Sequence, residues 1–326
     1  MTSLHDVAKV AGVSKSTVSR VVNNECGVKP ATRAKVMQAV EQVGYVVNQV
    51  AKDLQSQTTN LVGVIVPRVS SNAIAQGVDG LSRQLEAAGK QVLLANCQQD
   101  KGKEIDYIHL FNQKRVAGIL LYASELSALL IEAVHRSRVP VVVIGQDGSL
   151  HDIPSIVHDD LKVGFEAGRR LLAAGCERVG FIGVTPPDPA VDTLRCNGLK
   201  QALSFHQAND LLFHSQGEFS IESGYQQMQQ ILTSYPEVDG VFCATDRIAV
   251  GAIKALGHAG NNQVKVLGVG NEDIGAISTP SLSTFDYRFE QAGESAGQVL
   301  LDMIAGKQVT MSKLVLSSVS VERESC

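Results

Sequence analysis

Seven short apolar runs set the tightest limit on how this chain can fold. Leu61-Val62-Gly63-Val64-Ile65-Val66, Gln91-Val92-Leu93-Leu94, Val116-Ala117-Gly118-Ile119-Leu120-Leu121 and Val141-Val142-Val143-Ile144 are nearly free of polar residues, and Val179-Gly180-Phe181-Ile182, Gly240-Val241-Phe242-Cys243 and Val264-Lys265-Val266-Leu267 continue the series. A strand that is apolar on both faces must be covered on both faces, as happens when helices flank a parallel sheet. Helix-patterned segments separate the runs, so the chain reads as α/β. The 266 residues from Leu61 to Cys326 exceed what one such sheet usually needs, and two α/β lobes are expected.

Ligands of open α/β sheets bind beyond the carboxyl ends of the strands. The segments expected there are small and polar: Ser70-Ser71-Asn72, Gln146-Asp147-Gly148-Ser149, Thr185 to Asp192 followed by Arg195, Thr245-Asp246-Arg247, and Gly270-Asn271-Glu272-Asp273. Hydroxyls, amides, carboxylates and an arginine suit a polyhydroxylated ligand, with Phe219 available to cover a sugar face. Taken singly, Asp159 and Asp246 read as caps of helices over 161–172 and 247–256 rather than as ligand contacts.

The N-terminus follows a different pattern. Ser3 and Asp6 make a capping-box-like start, Leu4, Val7, Ala8 and Ala11 repeat at helical spacing, and Gly12 supplies a stop. Ser14 can cap a second helix whose Val18, Val21 and Val22 form a buried stripe, while Lys15, Ser16, Ser19 and Arg20 share the other face. Pro30 opens a third, with Val36, Val40 and Val43 before Gly44. Spacing alone admits either a plain three-helix bundle or a helix-turn-helix whose second helix meets base edges in the major groove. Lys15, Ser16 and Arg20 stand where such a helix reads bases, and a bidentate Arg20–guanine contact discriminates by roughly 1 to 3 kcal/mol. Residues 1–60 carry seven Lys and Arg against four Asp and Glu, net +3 in a chain of net −4, so the remainder holds −7. A positive head on an acidic body suits a polyanion partner for the head.

The run Asp6-Val7-Ala8, Ala11-Gly12-Val13-Ser14, Thr17-Val18-Ser19-Arg20-Val21-Val22-Asn23, then Thr32-Arg33, Val36, Ala39, Gly44-Tyr45 and Asn48, closely resembles the head of the LacI/GalR family of bacterial repressors. The resemblance implies that Lys15, Ser16 and Arg20 read the operator, that Ser3, Ser14, Thr17, Asn23 and Thr32 approach phosphates, and that Tyr45 helps close the headpiece. Lys29-Pro30 departs from the small hydroxyl residue usual near the start of the third helix. On its own, Gln49 to Asn60 is too short to hold a helix in water and reads as a linker. In the family this segment becomes a hinge helix on DNA, which places Leu54, with Ala51 and Val50, in the minor groove as a wedge.

The body resembles the family's effector domain, built like a periplasmic sugar-binding protein. Arg195-Cys196-Asn197-Gly198, Ala244 to Ala252 and Pro280-Ser281-Leu282-Ser283-Thr284 carry this likeness. It implies an effector site of Arg195, Ser71, Phe219, Thr245, Asn271 and Phe289. Gly145 and Gly270 replace the aspartates of lactose-type members, which leaves Gln146, Asp147 and Asn271 as substitutes. Together with the head, Val66-Pro67-Arg68-Val69-Ser70-Ser71-Asn72 and Phe219 to Tyr225 look most like sucrose-operon members, with sucrose, fructose or a phosphorylated sugar as effector; the alternative is a family regulator that responds to another sugar, a sugar phosphate or a nucleoside.

The expected organisation is a headpiece with hinge over 2–56 (motif 4–23, hinge 49–57) and a sensing and dimerisation domain over 60–326. Its first lobe is expected at about 60–158 and 287–315, its second at about 159–286 and 316–326. A homodimer would bind a pseudopalindromic operator, with operator affinity set by a sugar between the lobes. Helix 74–88, with Ile74, Val78, Leu81 and Leu85, could serve a dimer interface or pack on a sheet. Cysteines 26, 97, 176, 196, 243 and 326 show no CxxC spacing, no metal-ligand cluster accompanies the histidines, and no cofactor is expected. There is no signal peptide, membrane-length apolar run, GxGxxG or GxxxxGK[ST], which favours a cytoplasmic regulator over an enzyme. The rival class is a sugar-binding or sugar-converting protein with a vestigial head.

Overall fold

The computed structural model describes residues 3–22, 26–45 and 59–326. It divides into two compact units, 1–58 and 59–326. In the smaller unit, helices α1 (Leu4–Ala11), α2 (Lys15–Val22) and α3 (Pro30–Val43) enclose one core. The Asp6 carboxylate accepts from the backbone N–H and the hydroxyl of Ser3, both at 2.8 Å, which fixes the start of α1. Gly12 ends it at φ 62°, a left-handed conformation that favours glycine, and its N–H bonds the Ala8 carbonyl. Val7, Val18 and Val36, one from each helix, are fully buried. Each contributes about 1.5 to 3 kcal/mol on burial, so these three anchor the small core. Leu4, Val28 and Tyr45 pack around it.

The larger unit holds two parallel sheets. The first, in order β11-β5-β4-β3-β1-β2, joins β1 (Leu61–Val66), β2 (Gln91–Asn96), β3 (Gly118–Tyr122), β4 (Val141–Ile144) and β5 (Ser155–His158) to the late strand β11 (Lys313–Leu316). Its side chains alternate between two cores. Ile65, Ile119, Leu121, Val141 and Val143 meet α5 (Lys101–Gln113) and α6 (Ala128–His135), whereas Val62, Val64, Leu120, Val142 and Ile144 meet α4 (Asn72–Ala87) and α12 (Phe289–Ile304). The second sheet, β7-β6-β8-β9, comprises β6 (Val179–Val184), β7 (His214–Gly217), β8 (Gly240–Cys243) and β9 (Lys265–Leu267). Helices α7 (Asp160–Ala173), α8 (Arg195–Phe205), α9 (Ile221–Ser234) and α10 (Asp246–His258) complete that lobe, with the short α11 (Asp273–Ala276) after β9. A π-helical turn, Pro189–Leu194, leads into α8.

The chain passes between the lobes three times: from β5 into α7, from β10 (Thr284–Asp286) into α12, and from β11 into β12 (Val319–Val321), which pairs antiparallel with β10. The apolar face expected over 74–88 is committed within the chain. Leu81 and Leu85 are fully buried against the sheet, and a Cβ on Gly293 of α12 would sit 1.9 Å from the Gly77 carbonyl oxygen of α4. The backbones of α4 and α12 touch because Gly293 has no side chain there, nor has Gly80 of α4, whose Cβ would lie 2.1 Å from the Glu290 carbonyl oxygen.

Candidate functional site

On the small unit, Ser14 fixes the entry to α2. Its hydroxyl accepts the Thr17 N–H at 3.1 Å and lies 2.8 Å from the hydroxyls of both Ser16 and Thr17. With the helix started there, Val18 and Val21 turn inward, and Lys15, Ser16 and Arg20 are left exposed. Ser3 and Ser14 are exposed as well, while Thr17 and Thr32 are half-buried. A short helix with a buried apolar stripe and exposed lysine, serine and arginine can lay hydrogen-bond donors against an anionic groove. Asn23, Val50, Ala51 and Leu54, with the hinge over 49–57, lie outside the described residues.

On the large unit, loops leaving the two sheets meet. Gln146 follows β4, is buried, and its Nε2 donates to the Ser124 carbonyl at 3.4 Å and to Asp188 Oδ1 at 3.2 Å. Asp188 belongs to the loop after β6 and also accepts the N–H groups of Ala190 and Val191, both at 2.9 Å. Burial nevertheless pushes its carboxyl above the usual range. Arg68, after β1, lays its guanidinium 3.6 Å from the ring centroid of Phe219, after β7. These two contacts bring together, from opposite lobes, an aromatic face, an amide, a carboxylate and a guanidinium. Ser71 and Thr245 stand at the starts of α4 and α10 with their hydroxyls accepting the N–H groups of Ile74 and Ile248, both at 3.4 Å.

Arg195 takes a deeper place than its sequence position suggests. It is 4% exposed, its Nε donates to Asp160 Oδ1 at 2.7 Å, and its Nη1 donates to the Ala244 carbonyl. The same Asp160 oxygen accepts the Tyr287 hydroxyl at 2.8 Å, and the guanidinium sits 4.8 Å from the Tyr287 ring centroid. His158 stacks on Tyr287 at 4.5 Å, and its Nε2 bonds the Tyr287 carbonyl at 2.9 Å. Burial pushes this imidazole down to about 4. Phe289 closes the cluster edge-on to His158 at 5.4 Å. His158, Asp160, Tyr287 and Phe289 flank two of the three lobe crossings, so Arg195 ties those crossings together.

One expectation needs correction, the Asp246 cap, and two expected site residues have partners within the protein. Asp147 pairs through Oδ2 with Lys313 Nζ at 2.6 Å on the edge strand β11, and its Oδ1 accepts the Ser149 hydroxyl at 2.6 Å. Asp246 does not cap α10, because Thr245 does. The Asp246 carboxylate turns inward, accepts the Thr284 hydroxyl at 2.5 Å and the Glu272 N–H at 2.7 Å, and is pushed up to about 6 by burial. Asn271 spends its amide on the crossings, accepting from Arg323 Nη2 at 2.7 Å and donating to Asp286 Oδ2 at 3.3 Å.

Sequence reasoning also missed a network under the cleft loop. His214 Nε2 donates to Asp192 Oδ1 at 3.1 Å, and Cys196 Sγ lies 3.7 Å from His214 Nδ1. Asp192 further accepts the Val184 N–H and the Gln216 amide, both at 2.9 Å. The Asp192 hydrogen bond raises His214 to about 9. Among the described residues, no cluster of His, Cys, Asp and Glu could hold a metal ion, and no helix is long and apolar enough to cross a membrane.

Comparison with known proteins identifies both parts of the chain. The family of bacterial regulatory proteins named for lacI matches residues 3–48, and the periplasmic binding protein-like domain matches 169–326. The sucrose operon repressor of Staphylococcus xylosus is 31% identical over 323 residues, covering 97% of this chain and 98% of its own. Catabolite control protein A of Priestia megaterium is 29% identical, covering 96% and 95%. The crystal structure of the Lac repressor dimer bound to operator and the anti-inducer ONPF aligns with a TM-score of 0.92 at 25% identity, over 99% of this chain and 98% of that one. The exposed face of α2, the two-lobed body and the full-length likeness agree that the chain belongs to the lacI family of bacterial regulatory proteins, as a DNA-binding transcriptional repressor with a sugar-binding effector domain, and is not an enzyme.

Proposed function

We propose that the protein is a cytoplasmic homodimer that represses carbohydrate-utilisation genes, with sucrose or a sugar derived from it as effector. The observation that carries the sucrose reading is the 31% identity to a sucrose operon repressor over nearly the whole of both chains. Lys15, Ser16 and Arg20 read base edges, and Ser3, Ser14, Thr17, Asn23 and Thr32 hold phosphates. The hinge over 49–57 wedges Leu54, flanked by Val50 and Ala51, into the minor groove. Two heads on a two-fold axis match a pseudopalindrome.

The effector lies between a first lobe drawn from 60–158 and 287–315 and a second from 159–286 and 316–326. Phe219 covers a sugar face, Gln146 and Asp188 exchange their mutual hydrogen bond for sugar hydroxyls, and Ser71 and Thr245 line the rim. Arg195, Asn271 and Phe289 act chiefly by holding the crossings, because their polar or aromatic surfaces are engaged there. The likeness to catabolite control protein A favours a second reading, a regulator that serves more than one sugar system. Calorimetric titration with sucrose, fructose and their phosphates separates the two. Micromolar binding of one sucrose-derived sugar supports the first, and no heat with any of them refutes it.

A further inference from the structure

Arg68 was not among the residues expected to meet an effector, yet it occupies the surface an effector would use. Phe219 packs one flank on the core of the second lobe. The Arg68 guanidinium, from the opposite lobe, lies 3.6 Å from its ring centroid. A guanidinium over an aromatic face gains from the ring quadrupole, the more so when water is excluded. Burial opposes the Arg68 charge, Asp188 and Glu272 favour it, and Arg247 opposes it. On the facing lobe the side chain thus meets the ring, and the carboxylates of Asp188 and Glu272 lie near enough to favour its charge.

We propose that Arg68 is a clasp between the lobes, closing over Phe219 when the cleft is empty and giving up that face when a ligand ring stacks there. One ring face accepts one partner, so occupancy and clasp compete. The released guanidinium turns to water at the rim, since both nearby carboxylates already have partners: Gln146 donates to Asp188 at 3.2 Å, and Arg247 pairs with Glu272 at 3.4 Å. The vacated aromatic face selects a ring with an apolar face and a hydroxyl rim, which describes a saccharide. This choice of ligand rests on Phe219 being the sugar platform of the proposed function, whereas the clasp itself does not.

The test compares the full-length wild type with Arg68→Ala, Arg68→Lys and Phe219→Ala. Without ligand, amide hydrogen exchange around 68–72 and 218–220 is expected to quicken severalfold in Arg68→Ala. Lysine, which keeps the charge but lacks the planar stack, should restore little of the protection. Exchange identical to wild type in Arg68→Ala overturns the clasp whatever the effector is. In calorimetry with sucrose, Arg68→Ala is expected to bind about two- to thirtyfold more tightly than wild type, the factor matching the lost stack, while Phe219→Ala binds more weakly. A mere loss of packing would not raise affinity. Weaker binding by Arg68→Ala makes Arg68 a direct ligand contact and overturns the clasp. If no variant binds sucrose and the exchange difference stands, the clasp is supported and the sucrose assignment fails.

Discussion

Alanine in place of Arg195 should strike the lobe crossings before it strikes any ligand. Asp160 and Arg195 are each 4% exposed, and their 2.7 Å hydrogen bond sits under Tyr287. Removing the guanidinium leaves the Asp160 carboxylate buried with a neutral hydroxyl donor, and it also strips a donor from the Ala244 carbonyl. Breaking a buried pair from one side costs about 3 to 5 kcal/mol, a large share of the roughly 5 to 15 kcal/mol that holds a domain together. Urea denaturation of the full chain at pH 7 measures it, and a double-mutant cycle with Asp160→Asn apportions it. The doubly substituted protein should be at least about 2 kcal/mol more stable than additivity predicts, because the uncompensated charge is gone. An Arg195→Ala cost below about 1 kcal/mol, or an additive cycle, would refute the buried-pair reasoning. Arg195→Lys is the gentler probe of the sugar response, since it keeps a cation at the crossings.

Other predictions concern titration and DNA. His214 has a folded pKa of about 9 against an ordinary 6.5, so the stability it lends is complete below pH 6.5 and is lost as pH rises through 9. Its side chain is partly exposed, and screening reduces the effect to about 1 kcal/mol. Wild type should therefore lose stability between pH 7 and 9.5 relative to His214→Gln, and parallel profiles for the two would remove the assignment. Arg20→Ala should cost about 1 to 3 kcal/mol on the operator by fluorescence anisotropy and much less on unrelated DNA. Equal losses on both would make Arg20 a phosphate contact. Leu54→Ala should likewise weaken operator binding more than non-specific binding, and the wedge role falls if the two drop together.

How far the sequence could be read depended on where each residue's partners lie along the chain. Strands β1, β4 and β8 announce themselves because Val64, Val142 and Val241 and their neighbours are buried on both faces. Strand β7 does not: it is an edge strand whose His214, Ser215 and Gln216 turn to Asp192 and Gln227. Strands β5 and β11 are four residues each and pair with one another across more than 150 positions. Among the described residues, the three helices of the head were legible because their caps and turns are local, from Ser3–Asp6 to Gly12 and Ser14–Thr17. Where the two lobes meet, the pairing of side chains was not legible. Asp147 has Lys313 as partner 166 residues away, Arg195 has Asp160 35 residues before it, and Arg68 meets Phe219 only after two lobes have folded. Asp246 was misread because a capping Thr245 and a buried aspartate look alike one position apart.

On the proposed function, a sugar between the lobes and an operator on α2 bias the same two arrangements of the protein. By linkage, each must then change the other's affinity by one common factor, typically between five- and 150-fold. Titrating sucrose into the full-length protein by calorimetry, alone and saturated with a duplex selected for tight binding, measures that factor directly. Sucrose dissociation constants should lie at least about fivefold apart in the two titrations, matched by an equal shift in duplex affinity when sucrose is saturating. Tight sucrose binding with the same constant on and off the duplex would contradict it.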